Sequence, residues 1–209
     1  MNYFENEKRV IKGFLSFFLP KGGETVERFG VLQGSGYPMI FALVIVACMF
    51  EIPMMHFLIE FLMEDSTTKT VIQVSLLVST AYAIVWLGGD YQLLKSGGVY
   101  LQDDQLVVDF SIRWRATIPV SQILLAERST LNVANEIVKD WRKKDEKIPL
   151  EKGVGHLKLG VETPNVRLKF VSPHKFYSIF GRTSDFHEVH FFVTQPDRLI
   201  SSINLTEKR

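Results

Sequence analysis

Residues Tyr37 to Leu94 read YPMIFALVIVACMFEIPMMHFLIEFLM, then EDSTTKT, then VIQVSLLVSTAYAIVWLGGDYQLL. Each apolar run is about 25 residues long, and 20 helical residues at ~1.5 Å each already span a ~30 Å bilayer core. The polar gap between the runs has room only for a tight turn. The pattern predicts a transmembrane helical hairpin with helices over about 38–63 and 70–94. More residues precede the first run than a signal-peptide leader holds, and no small-residue cleavage site follows it. It therefore reads as a retained anchor.

The short flanks orient the hairpin. Lys8, Arg9, Lys12, Lys21 and Arg28 precede the first run, and Lys95, Arg113 and Arg115 follow the second. The gap sets Lys69 against Glu64 and Asp65. By the excess of Lys and Arg on cytoplasmic loops, both termini are expected in the cytoplasm and the gap outside.

Polar side chains inside the runs are costly in hydrocarbon and so mark a partner or a function. The candidate intramembrane cluster is Glu51, His56, Glu60, Tyr82 and Asp90. At equal depth in an antiparallel pair, Glu51 is expected to meet Tyr82 or Ser79. His56 and Glu60, spaced i, i+4, share a face opposite Ser75. Asp90, in WLGGDYQLL, is expected near the inner surface within reach of water, and Gly88 and Gly89 allow a close helix approach there. Pro53 is expected to kink the first helix. Cys48 is the single cysteine and reads as a small apolar packing residue. Glu51, His56 and Glu60 admit three readings: a structural clamp, contact with a partner, or a site for metal, protons or hydrolysis. Two i, i+4 ligands do not define a metal centre, and no HExxH, nucleophile elbow or cysteine pair is present. No cofactor is expected.

Upstream, Glu7 to Leu19 places Val10, Phe14, Phe17 and Phe18 at helical spacing beside Lys8, Arg9 and Lys12. Pro20 and Gly22-Gly23 end the segment. A short basic helix rich in Phe suits the bilayer interface. Gly30 to Gly36 reads as a flexible entry. Residues 1–36 thus form an interfacial segment, 37–95 the hairpin and 96–209 a cytoplasmic domain.

Downstream the period changes from 3.6 to 2. VYLQDDQLVVDF reads as strand, turn at Asp103-Asp104, strand. In IRWRATIP, Ile112, Trp114, Ala116 and Ile118 alternate with Arg113, Arg115 and Thr117. HLKLGVET, NVRLKFV, HKFYSIF and EVHFFVT continue the pattern, with turns expected at Thr163-Pro164-Asn165, Ser172-Pro173 and Gly181-Arg182. Thr194, Pro196 and Asp197 then open a C-terminal helix. About seven strands and one helix predict a small, bent antiparallel sheet plugged by that helix. Leu131 to Lys152 interrupts the strands with a charged, helix-compatible insertion whose Lys139, Arg142, Lys143 and Lys144 could touch anionic lipid. Arg113, Trp114 and Arg115 are a candidate lipid or partner contact, since Arg beside Trp can hold a phosphate. Alternation alone would instead put Trp114 in the core. His187 and His190 fall on opposite strand faces and do not form a metal site.

The run VYLQDDQLVVDFSIRWRATIPVSQI resembles bacterial pleckstrin-homology-like (PH-like) domains, which occur on short membrane anchors. The larger stretch from Ser35 to Leu205 resembles an uncharacterised bacterial two-helix membrane-protein family. That resemblance is carried by Glu51-x-Pro53-x-x-His56, Leu87-x-x-Asp90-Tyr91 and the domain that follows. It implies an α+β membrane protein of the bacterial inner membrane and carries no activity with it.

Net charge is +1, with no signal for nucleic acid. The expected function is non-enzymatic: a hairpin anchoring a PH-like domain that recognises a protein, membrane lipid or a second copy. The alternative is a membrane-embedded enzyme or transport component using Glu51, His56, Glu60 and Asp90.

Overall fold

The computed structural model describes residues 3–18, 27–130, 153–157, 159, 162–178 and 182–206. Helix α1 (Tyr3–Leu15) and the two-residue strand β1 (Arg28–Phe29) precede the long helices α2 (Tyr37–Leu62) and α3 (Ser66–Ser96). Strands β2 (Gly98–Gln102), β3 (Gln105–Phe110), β4 (Trp114–Pro119) and β5 (Ile123–Arg128) follow. They are succeeded by β6 (Val154–Leu157), β7 (Val166–Ser178), β8 (Thr183–Phe191) and helix α4 (Pro196–Thr206). The charged insertion, the Pro20 and Gly22-Gly23 stop, Lys21 and Gly181 lie outside the described residues.

Both α2 and α3 are long and apolar enough to cross a membrane, and in the most apolar stretch of each almost no residue is buried inside the protein. Their connection is shorter than the polar gap suggests. Asp65 accepts a hydrogen bond from the Thr68 backbone N–H at 2.8 Å, which caps α3 and draws Ser66 to Thr70 into its first turns. At its start α2 accepts Pro38, which has no N–H to lose there, and it remains one helix through Pro53.

The strands form one mostly antiparallel sheet in the order β1-β2-β3-β4-β7-β8-β6, with β5 also paired to β7. Asp103 and Asp104 turn the chain between β2 and β3 with φ of 50° and 57°, the left-handed pair that a two-residue hairpin needs. Ile112, Ala116 and Ile118 are buried, as alternation requires.

Three expectations are corrected. Ser172-Pro173 is not a turn: β7 runs on through it, and the β7–β8 register slips between Lys169 and His174. Proline, which has no ladder N–H, is tolerated at such an irregularity. Next, β6 pairs with β8 in parallel, where an antiparallel sheet was expected. Finally, the entry Gly30 to Gly36 is anchored at its start: Val31 is buried in the core, and Arg28 and Phe29 just before it pair with Tyr100 and Val99.

The core gathers Phe29, Leu106, Phe110, Phe176 and Phe191 with Leu199 and Ile203 of α4. Against β5, the carboxylate of Asp197 accepts from Arg128 Nε and Nη2 at 2.7 and 2.6 Å, which ties down the first turn of α4.

Candidate functional site

Where the hairpin meets the sheet, α2, α3 and the β3–β4 turn converge on one carboxylate. Asp90 of α3 is 0% exposed. It accepts from the Tyr37 hydroxyl at the start of α2, from Ser111 Oγ at 2.7 Å, and from Arg113 Nη1 at 2.9 and 2.7 Å to its two oxygens. The Arg113 guanidinium also lies over the Tyr37 ring, 4.7 Å from its centroid. Ser111 reaches Asp90 because the β3–β4 turn places it at φ 59°. Burial works against the Arg113 charge, but the nearby Asp90 carboxylate outweighs it, and the pKa of Arg113 is raised.

Water therefore does not reach Asp90, contrary to expectation. A buried carboxylate persists only when paired and hydrogen-bonded, and here each of its oxygens has donors. Arg113 is 23 residues along the chain, beyond the β2–β3 hairpin, so no local spacing reveals the pair.

Helix α1 extends this junction. Arg9 Nη2 donates to Asp109 at 3.0 Å and Arg9 Nη1 to the Ser111 carbonyl at 3.3 Å. A Cβ placed on Gly13 would lie 2.8 Å from the Gly89 carbonyl oxygen, and one on Gly88 would lie 3.0 Å from the Phe14 ring. The close approach expected at Gly88 and Gly89 is thus made, with α1 as the neighbour. This packing also claims Tyr82, whose hydroxyl donates to Glu7 at 2.6 Å. Tyr82 is not the partner of Glu51: its face of α3 turns to α1.

The candidate intramembrane cluster is consequently divided. Asp90 belongs to the junction and Tyr82 to α1. Glu60, near the far end, accepts from Lys69 at 2.9 Å. Only Glu51 and His56 share a space, a cleft of about 200 Å³ between α2 and α3 that Gln73 and Thr80 also line. Gln73 Nε2 is buried and has no hydrogen-bond partner among the described residues. The remaining lining is Ile, Leu, Met and Val. Such a cleft can hold a small hydrogen-bonding ligand, a proton or a polar side chain. No group of three metal-ligating side chains occurs among the described residues.

The Arg113-Trp114-Arg115 contact is divided too. Arg113 is engaged by Asp90, and Trp114 packs edge-on against Phe186 with ring centroids 5.8 Å apart. Arg115 lies 3.6 Å from Asp109 and lines a groove of about 820 Å³ with His174, Lys175 and Tyr177. His174 is part-buried, and desolvation lowers its pKa.

One network on the sheet escaped sequence reasoning. Ser129 Oγ lies 2.9 Å from His190 Nδ1, and His190 Nε2 lies 2.8 Å from Glu188 Oε1. Arg167 donates to both Glu188 oxygens at 2.8 and 2.9 Å and to Glu127 at 2.8 Å. The Arg167 hydrogen bonds hold the Glu188 carboxyl down to about 2. His156 stacks on His190, with centroids 5.4 Å apart. Glu188 and His190 sit two apart on one strand and so share a face, the one signal available in the sequence. The ionised Glu188 orients the buried His190, and the relay knits β5, β7 and β8 together.

Comparison with known proteins finds no matching family model, no similar curated protein and no similar solved structure.

Proposed function

We propose that the chain is a non-enzymatic integral membrane protein whose α2–α3 hairpin crosses the bilayer and holds the β domain at the cytoplasmic face, where it recognises a protein or lipid partner. The observation that carries this reading is the junction at Asp90. Helices apolar enough to span a membrane are joined to a complete sheet through Tyr37, Ser111 and Arg113, so the domain is held in a set pose. A flexible tether would have no use for a fully buried, fully bonded carboxylate. An antiparallel sheet closed by a C-terminal helix is in keeping with the resemblance to bacterial PH-like domains, and with it a place in the bacterial inner membrane. The groove beside Arg115, His174 and Lys175 offers the domain a recognition surface.

A second reading rests on the cleft. Glu51, His56 and Gln73 present a carboxyl, an imidazole and an unpaired amide to a space inside the apolar hairpin. In hydrocarbon such groups mark a function more often than not. On this reading the chain is a membrane-embedded enzyme or transport component, and Glu60 and Asp90 stand outside its site.

One experiment separates the two. The tagged full-length protein is purified from its own membranes after cross-linking from positions on the sheet, with lipid and metal measured in the same sample. The anchored module is expected to retain one recurrent partner or lipid, unchanged by Glu51→Gln and His56→Ala. Stoichiometric metal lost on His56→Ala, with no partner at the sheet, would move the function into the cleft.

A further inference from the structure

The cleft between α2 and α3 leaves two polar groups unanswered. Glu51 is exposed on α2, and no hydrogen bond or ion pair to it occurs among the described residues. The Gln73 amide nitrogen is buried and has no partner among them either. Both residues line the cleft, yet within one copy they do not bond each other. By helical rise Glu51 lies about 16 Å from the Leu62 end of α2, and Gln73 about 10 Å from the Ser66 end of α3. The carboxyl and the amide thus differ in depth by roughly one turn.

The side of the hairpin that carries the cleft is set by α1. Gln73 and Tyr82 are about two and a half turns apart, so they lie on opposite faces of α3. Tyr82 bonds Glu7 of α1. Helix α1 therefore takes one face of α3, and the cleft lies on the other, with Ile52 and Leu77 exposed on its rim.

We propose that a second copy of this chain closes the cleft, its hairpin packed against the first within the membrane. The two hairpins, related by a two-fold axis along the bilayer normal, form a four-helix bundle. In it, Glu51 of each copy accepts a hydrogen bond from Gln73 of the other. A turn of the Gln73 amide about its last torsion brings an N–H into the cleft. The inference rests on the membrane-spanning reading of α2 and α3, and it fills the space that a membrane-embedded enzyme would need open.

Hydrogen bonding and depth select a second copy as the occupant. Lipid chains offer neither donor nor acceptor, so they leave both groups unanswered. The cleft carries one of each, and a two-fold axis gives every amide an acceptor and every carboxyl a donor. Copies inserted the same way also match in depth, which sets each Glu51 within about a turn of the other copy's Gln73. Most of the remaining lining is Ile, Leu, Met and Val, side chains that pack helix on helix.

Disulfide cross-linking of the full-length protein in its own membranes tests this. In a Cys48→Ser background, Ile52→Cys with one tag is produced together with Leu77→Cys with another, and copper phenanthroline is added. These positions lie at nearly equal depth on the rim of the cleft. Phe57→Cys with Val71→Cys, at equal depth on the faces turned away from the cleft, is the control. The expected result is a product of twice the chain mass carrying both tags, from the first pair only. Gln73→Leu or Glu51→Leu should lower its yield about fivefold, and Glu51→Gln, which keeps an acceptor, should leave it unchanged. In the single copy Gln73→Leu is expected to leave stability level or higher, so its loss falls on the pair alone. No product from the first pair, equal product from both pairs, or a yield indifferent to Gln73→Leu would overturn the proposal. So would cross-linking of Ile52→Cys only to a protein of another mass. Alkaline carbonate extraction of the same membranes separates two kinds of failure. Protein that washes off takes the spanning reading down with the inference; protein that stays without forming the product sinks the inference alone.

Discussion

At the sheet-proximal end of the hairpin, Asp90 is completely buried and collects hydrogen bonds from Tyr37, Ser111 and Arg113. About 25 Å further along α3 by helical rise, Gln73 faces Glu51 and His56 across a cleft, and its amide has no partner among the described residues. The same two helices thus treat polar groups in opposite ways. Where the protein must hold its parts together, the β3–β4 turn and Tyr37 give both Asp90 oxygens their donors. In the cleft, where two apolar helices have only each other, the Gln73 amide nitrogen has no partner among the described residues, although nearer the turn Lys69 meets Glu60. The first arrangement is a joint, and the second is a vacancy or a burden.

The comparison breaks most sharply at the joint. Asp90→Leu leaves the part-buried Arg113 without its counter-charge, and the expected loss is about 3–5 kcal/mol. Thermal unfolding in detergent micelles, followed by tryptophan fluorescence, reads it. Combining Asp90→Leu with Arg113→Met should recover much of that loss, because the two residues share one interaction. A double variant that loses the sum of the two single losses would show that the pair is not the joint.

Gly89→Val tests the packing of α1 on α3. Any side chain there collides with the Val10 carbonyl, and overpacking of this kind costs about 1–3 kcal/mol. Limited proteolysis should release α1 early while the sheet stays resistant.

The third test uses pH. Glu188 has its pKa lowered from 4.5 to about 2 by Arg167, so its contribution is present above about pH 4.5 and is lost as pH falls toward 2. The Glu188→Gln variant should be less stable at neutral pH and show a flatter acid limb, with the difference from the parent closing toward pH 2. The smallest effect belongs to the cleft. Gln73→Leu removes a buried amide nitrogen that has no partner among the described residues, and stability should rise by about 1 kcal/mol or stay level. A large loss would mean that the amide is satisfied and the contrast with Asp90 is false.

How much of this was legible in the sequence follows from range. The hairpin was, because 25 apolar residues admit few structures. The β2–β3 turn was as well, since Asp103-Asp104 between alternating runs has few conformations open to it. β1 was not: two residues have no period, and Phe29 and Val31 enter the core only because the chain returns beside β2. The junction was half legible. Asp90 stood out as a charge in an apolar run, but its partner lies past two strands and a left-handed Ser111. Tyr82 was assigned to Glu51 by depth alone. Depth cannot show which way a helix face turns, and α1 had claimed that face.

The most direct test of the whole account is a two-sided labelling of sealed vesicles. Single cysteines at Thr67, in the first turn of α3, and at Asp185, on the sheet, are exposed to a membrane-impermeant maleimide in the Cys48→Ser background. The expected result is that Thr67→Cys reacts from one side of the membrane only and Asp185→Cys only from the other. Reaction of both from the same side would mean that α2 and α3 do not cross the bilayer, and the joint at Asp90 would then hold together something other than an anchor and its domain.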